Sequence, residues 1–163
     1  MGYRKTLEDN PETVQDLEIS ARRRLDEAMA LYIEEKHHCA IYIAGLSAEM
    51  YLKTACFFLG SAKPGDPVSV HLAPLKRRTY CPPFRADFES GHGLWFWSQE
   101  LIRRRTDRHL AQVPPRFLEV AAGIYMDWFI GMRYRPGSAT EEDAARFITL
   151  VEWLANNHGA IRS

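Results

Sequence analysis

Apolar residues fall at Val14, Leu17, Ala21, Leu25, Ala28, Met29 and Tyr32, the three-and-four spacing of one buried helix face. Asn10-Pro11 suits the start of this helix, because Asn caps and Pro is tolerated at the first helical position. The expected end is near Glu35-Lys36. A second, more continuous apolar run predicts a helix over about His38 to Leu59, with Gly60 as a left-handed cap. Ala40, Ala44 and Ala48 repeat every four residues along it and build a flat face that another helix can approach closely. Residues 61–93 hold five prolines and show no sustained period, so a long irregular connection with short helical pieces is expected there. A third helix runs over about Leu94 to Gln112, ended by Pro114-Pro115. A fourth carries Leu118, Ala121, Ala122, Tyr125, Trp128, Phe129 and Met132 as its apolar stripe. After "RYRPGSA", Thr140 followed by Glu141, Glu142 and Asp143 reads as an N-cap with acids in the first turn. Ala144, Phe147, Ile148, Val151 and Leu154 carry a fifth helix, and Gly159 is its expected stop. "VSVHLAPL" comes nearest to a strand but is bracketed by Pro67 and Pro74. The pattern therefore predicts an all-α fold: a compact antiparallel bundle of about five helices in a single domain, 1–163.

One segment complicates this picture. "HHCAIYIAGLSAEMYLKTACFFLG" is nearly long enough to span a bilayer, yet Glu49 and Lys53 sit near its centre. Each charge there would cost several kcal/mol, so no membrane span is expected. With 46% hydrophobic residues, 26% charged residues and a net charge of +0, the chain has the composition of a globular protein. Three scattered cysteines, Cys39, Cys56 and Cys81, are too few for a disulfide framework and fit reduced thiols in the cytoplasm. The polar, acidic start "MGYRKTLEDNPETVQDLE" is not a signal peptide. "MGYRKT" matches a myristoylation pattern, but no second membrane signal accompanies it.

The order of features resembles a known family. "ARRRLDEAMALYIEEKHHCAIYIAGLSAEMYLKTA" is similar to the first two helices of HEPN domains (higher eukaryotes and prokaryotes nucleotide-binding), the second ending in Glu-x-x-x-Lys. "GHGLWFWSQEL" resembles the third helix, and "YMDWFIGMRYRP" with "TEEDAARFITLVEWL" the last two. The resemblance covers about residues 20–157. It implies a four- or five-helix bundle, often a homodimer. It also implies one of several roles: a metal-independent ribonuclease or toxin, an inert partner of a small nucleotidyltransferase, or a helper in defence systems. Active members carry an Arg followed four to six residues later by a His, and these meet across the dimer interface. Here Arg133 matches the Arg, but Tyr134 follows it, and Ser138, Ala139 and Thr140 stand where the His would fall. General acid–base cleavage of RNA needs a group titrating near neutrality. The resemblance thus supports the fold and argues against nuclease activity at that place.

Formal matches occur elsewhere, Arg103 and Arg104 before His109, and Arg85 before His92. With 16 arginines and six histidines such pairs arise by chance. Between residues 61 and 116 there are 10 Lys/Arg against five Asp/Glu. Lys76, Arg77, Arg78, Arg103, Arg104, Arg105 and Arg108 are candidates for RNA phosphates, with Tyr80, Phe84, Trp95 and Trp97 as candidate stacking groups. Solvated basic faces and core tryptophans are the plainer reading. His37, His38 and Cys39 point about 100° apart on a helix and do not make a metal site. No cofactor motif is present, and "GLSAE" lacks the second Gly of a nucleophile elbow. Glu49 is expected to reach Arg133 and hold the "RYRP" turn, with Lys53 extending outward. The reading that follows is a non-catalytic binding or assembly module serving RNA, a nucleotidyltransferase partner or a toxin–antitoxin system. One alternative is a ribonuclease with a displaced site at Arg133, or at Arg103 or Arg104 with His109. The other is a structural helical protein with no nucleic-acid role.

Overall fold

The computed structural model describes residues 12–76, 93–134 and 137–163. Among them are seven α-helices: α1 Val14–Ile33, α2 His37–Leu59, α3 Val68–Lys76, α4 Leu94–Asp107, α5 Phe117–Asp127, α6 Glu141–Asn156 and α7 His158–Arg162, with a 3₁₀ turn at Ile130–Tyr134 before α6. The helices pack on one another without a strand among the described residues, as the all-α expectation requires. Asn10 and Pro11 lie outside the described residues. Thr13 caps α1 in a reciprocal capping box with Asp16, a device typically worth about 1 kcal/mol. Thr140 and Asp143 repeat it at α6.

α2 is the central element, in contact with α1, α4, α6, α7 and the 3₁₀ turn. Ala40, Ala44 and Ala48 are fully buried, and Ser47 Oγ donates to the Ala21 carbonyl at 2.7 Å. The small-residue face therefore lets α1 come close. Trp97, Phe57, Phe117 and Phe147 fill the core, with the Phe57 and Trp97 rings edge to face at 5.8 Å.

Several boundaries differ from the sequence expectation. Gly60 keeps a right-handed φ of −84°, and Ser61 takes the left-handed conformation at 68°. α4 stops at Asp107, about a turn before Gln112, where His109 adopts φ 53°. The connection after α2 contains α3, and 77–92 lie outside the described residues. Gly159 does not stop the chain, because it lies inside α7 and Asn157 is the junction. The largest change concerns α5. Phe117, Val120, Ala121 and Ile124 face the core, while Leu118, Tyr125 and Phe129 are 48%, 38% and 50% exposed. The helix ends at Asp127 and Trp128 is extended, so a single helical stripe cannot describe 118–132.

Candidate functional site

The α1–α2 turn is tight. Glu35 takes φ 58°, and Lys36 N–H returns to the Leu31 carbonyl at 2.9 Å. α2 then starts at His37 without a side-chain cap and without an acid in its first turn. A helix N-terminus of this kind carries roughly half a positive charge on its unsatisfied N–H groups.

The opposite wall comes from the segment after α5. Trp128 is almost fully buried, and its Nε1 donates to the Tyr42 carbonyl at 3.0 Å. Its indole occupies the space beside Gly45 that a Cβ would need. Gly45 is thus the position on α2 that admits the tryptophan. This anchor sets the 3₁₀ turn against the start of α2. His38 Nε2 donates to the Met132 carbonyl at 3.2 Å, which leaves Nδ1 as the basic nitrogen of the neutral ring. Gly137 lies so close to the His38 ring that a Cβ there would run into it.

Between the two walls lies a cleft of about 570 Å³, lined by Glu35, Lys36, His37, His38, Cys39, Tyr42, Met132, Arg133, Gly137 and Ala139. Arg133 and Lys36 are exposed. His37 is half-buried against the Tyr32 ring at 5.8 Å, and its Nδ1 is buried without a hydrogen-bond partner. The volume falls within the common range for small-ligand sites. Lys36, Arg133, two imidazoles and the N-terminus of α2 thus line the cleft together with a single carboxylate, Glu35.

Arg133 therefore does stand beside histidines, but they come from α2 and not from the residues after it. Sequence distance concealed this: His37 and His38 precede Arg133 by 96 and 95 residues. Glu49 does not hold Arg133. No hydrogen bond or ion pair joins them among the described residues, and Arg133 lies at the N-terminal end of α2 while Glu49 is three turns further along. Glu49 instead pairs with Lys53. Lys53 does not extend outward either. Its side chain is 13% exposed, and its ammonium lies over the Trp97 ring at 5.5 Å. Pairing and cation–π attraction are what make this lysine tolerable amid core residues.

The arginine run on α4 is mostly spent on structure. Arg105 is 5% exposed. Its guanidinium donates to the carbonyls of Ala111, Ala160 and Ile161 at 2.9, 3.2 and 2.7 Å. Arg103 grips the buried Glu100 through two hydrogen bonds of 2.9 and 2.8 Å, and Arg104 Nε reaches Glu100 at 2.6 Å. Burial pushes the Glu100 carboxyl up, but the two guanidiniums outweigh it and hold the group below its usual range. Arg104 also donates to the Cys56 carbonyl near the end of α2, and Arg108 pairs with the Ser61 hydroxyl. His109 is exposed, and no hydrogen bond joins it to Arg103 or Arg104 among the described residues. Of the candidate stacking groups, Trp97 is core and Trp95 is half-buried. Arg77, Arg78, Tyr80, Phe84, Arg85 and His92 lie outside the described residues, as does the side chain of Lys76.

Sequence reasoning also passed over His158. It is 5% exposed, with Nε2 at 3.1 Å from the Tyr51 carbonyl and 3.1 Å from Thr54 Oγ1. Nδ1 lies 3.4 Å from Glu18, which Arg162 also pairs with at 2.7 Å. Burial lowers the pKa of this imidazole, partly offset by Glu18. The group ties α7 to α1 and α2 and has no access to a ligand.

Among the described residues, no cluster of His, Cys, Asp and Glu is suited to a metal ion, and no helix is long and apolar enough to cross a membrane. No family model, curated protein or solved structure matches this chain.

Proposed function

We propose that the chain is a helical binding module that takes a phosphate-bearing ligand, RNA or a nucleotide, in the cleft at the N-terminal end of α2. One observation carries this reading: Lys36, His37, His38 and Arg133 converge on an uncapped helix N-terminus. Anion sites are commonly built this way, because backbone N–H groups and cations act on the same oxygens. The reading takes the chain as a HEPN-like assembly module, working as a homodimer in the cytoplasm and serving RNA, a nucleotidyltransferase partner or a toxin–antitoxin system.

A second reading is favoured by the imidazoles beside Arg133. A basic histidine nitrogen would take the proton of a ribose 2′-hydroxyl as its oxygen attacks phosphorus. The 5′-oxygen would then leave and take up a proton, with Arg133 balancing the phosphorane charge. That would make the chain a metal-independent endoribonuclease whose histidine comes from α2.

One experiment addresses both. Binding of a labelled single-stranded RNA is followed by fluorescence anisotropy at rising salt, and its integrity by gel in EDTA. Arg133→Ala is expected to weaken binding about tenfold, the effect of losing one charge-assisted contact, while Arg108→Ala has little effect. Equal affinities for wild type and Arg133→Ala would sink the binding reading. Cleavage by wild type that His37→Ala and Arg133→Ala both lose would replace it with the second.

A further inference from the structure

We infer that α5 is the contact surface between two copies of this chain, packed antiparallel about Ala122, with Met126 of each copy seated in the apolar groove beside Leu118 of the other. The homodimer itself belongs to the proposed function, and this surface deepens that part of it without resting on the cleft. At 100° per residue, Phe117, Val120, Ala121 and Ile124 share one side of α5 and are buried in the core. Leu118, Ala122, Tyr125 and Met126 share a second face about 100° wide. A surface helix ordinarily gives that side to polar residues. Met126 is instead 78% exposed, more than any other large apolar side chain among the described residues. Leu118 and Tyr125 are exposed beside it. The Tyr125 ring lies 5.9 Å from that of Trp95, so the apolar face continues onto α4.

The face carries both a projection and a recess. Ile102, Leu110, Val113, Pro114 and Leu118 line a groove of about 320 Å³ between the end of α4 and the start of α5. Met126 is the projection. Leu118 and Met126 stand four residues to either side of Ala122, about 6 Å each way along the axis. A two-fold axis at Ala122 therefore brings Met126 of each copy level with the groove of the other. The small Ala122 lets the two helices approach, and an unbranched methionine fills irregular apolar space. Such symmetry is what a contact between identical chains requires, because one patch must match itself. An unrelated protein partner would not call for it. Charge follows the same order. Arg116 lies six residues before Ala122 and Asp127 five after it, so opposite charges come level across the pair. The area also suffices. Leu110, Leu118, Tyr125 and Met126 expose a patch on the order of 400 Å². A stable face takes about 800 Å² per partner, of which a little over half is apolar.

The test is sedimentation of the full chain from about 1 to about 100 μM, since dimerisation follows concentration. Wild type is expected to run as two chains at the upper end. Met126→Glu and Leu118→Lys should each run as one chain, because each places a charge on the apolar contact. The double variant should dimerise again, since the introduced carboxylate and ammonium then meet across the two-fold axis. Within one chain they stand about 12 Å apart along the helix and do not pair. Both positions are exposed, and a thermal melt checks that the variants remain folded. A wild type that stays monomeric over the whole range would leave this face to another partner and overturn the inference. So would a dimer that survives Met126→Glu, and single variants that the double variant does not rescue would overturn the antiparallel seating. Arg133→Ala is expected to remain dimeric, so its RNA affinity tests the cleft separately from this surface.

Discussion

The two ends of α2 are both rich in cations and use them in opposite ways. At the C-terminal end, Arg103 and Arg104 hold Glu100, Arg104 reaches the Cys56 carbonyl, and Arg108 pairs with Ser61. That end also carries the partial negative charge of the helix dipole, which the arginines balance. At the N-terminal end, about 34 Å away along the axis, the dipole is positive and the cations add to it. Lys36, Arg133 and two histidines gather there around a cleft with one carboxylate. Positive residues alone do not mark an anion site. What matters is what surrounds them: a buried carboxylate and backbone carbonyls at the α4 end, an open cleft at the N-terminal end of α2.

The comparison breaks if the α4 arginines prove dispensable to the fold. Arg105→Met is the severest test, because it strips donors from three carbonyls. A loss of about 3 kcal/mol is expected by denaturant melt, with RNA affinity retained in the folded fraction. A loss below about 1 kcal/mol would show that this arginine is not spent on the fold. At the other end, Gly45→Ala should push Trp128 out of its seat, costing about 2 kcal/mol by overpacking. It should also displace the 3₁₀ turn that carries Arg133, so RNA binding weakens with stability. Unchanged indole fluorescence would show that Trp128 is held by something else.

The smallest effect concerns pH. The His158 pKa is lowered in the folded chain, chiefly by burial, so the unfolded chain takes up the proton more readily. Stability is therefore fully present above the ordinary histidine value of about 6.5 and declines as pH falls through it. Melting temperature should drop between about pH 7.5 and about pH 5.5, and less so in His158→Gln. An identical slope in that variant would assign the acid sensitivity to other groups.

Local patterns carried much of the fold. The periodicity of α1, the alanine face of α2 and the Thr140 capping box are short-range consequences of residue type, and all are found. Element ends were less legible, because Gly60 and Gly159 are glycines that the chain does not use as left-handed stops. The stripe on 118–132 misled for a different reason. A period of 3.6 describes only an unbroken helix, and Trp128 breaks it by finding a better burial site on another element.

The candidate site belongs almost wholly to the tertiary level. Sequence by itself determined that the chain is helical, that α2 is among its most apolar elements, and that Arg133 follows an aromatic-rich segment. It could not tell the arginines of α4, which hold Glu100 and backbone carbonyls, from Arg133 in the cleft beside His37, because both read as charge. Only packing decided that. Gly45 admits Trp128, Trp128 sets the 3₁₀ turn, and residues 95 positions apart then share one cleft, while Glu100 and the carbonyls of α7 neutralise the other cluster.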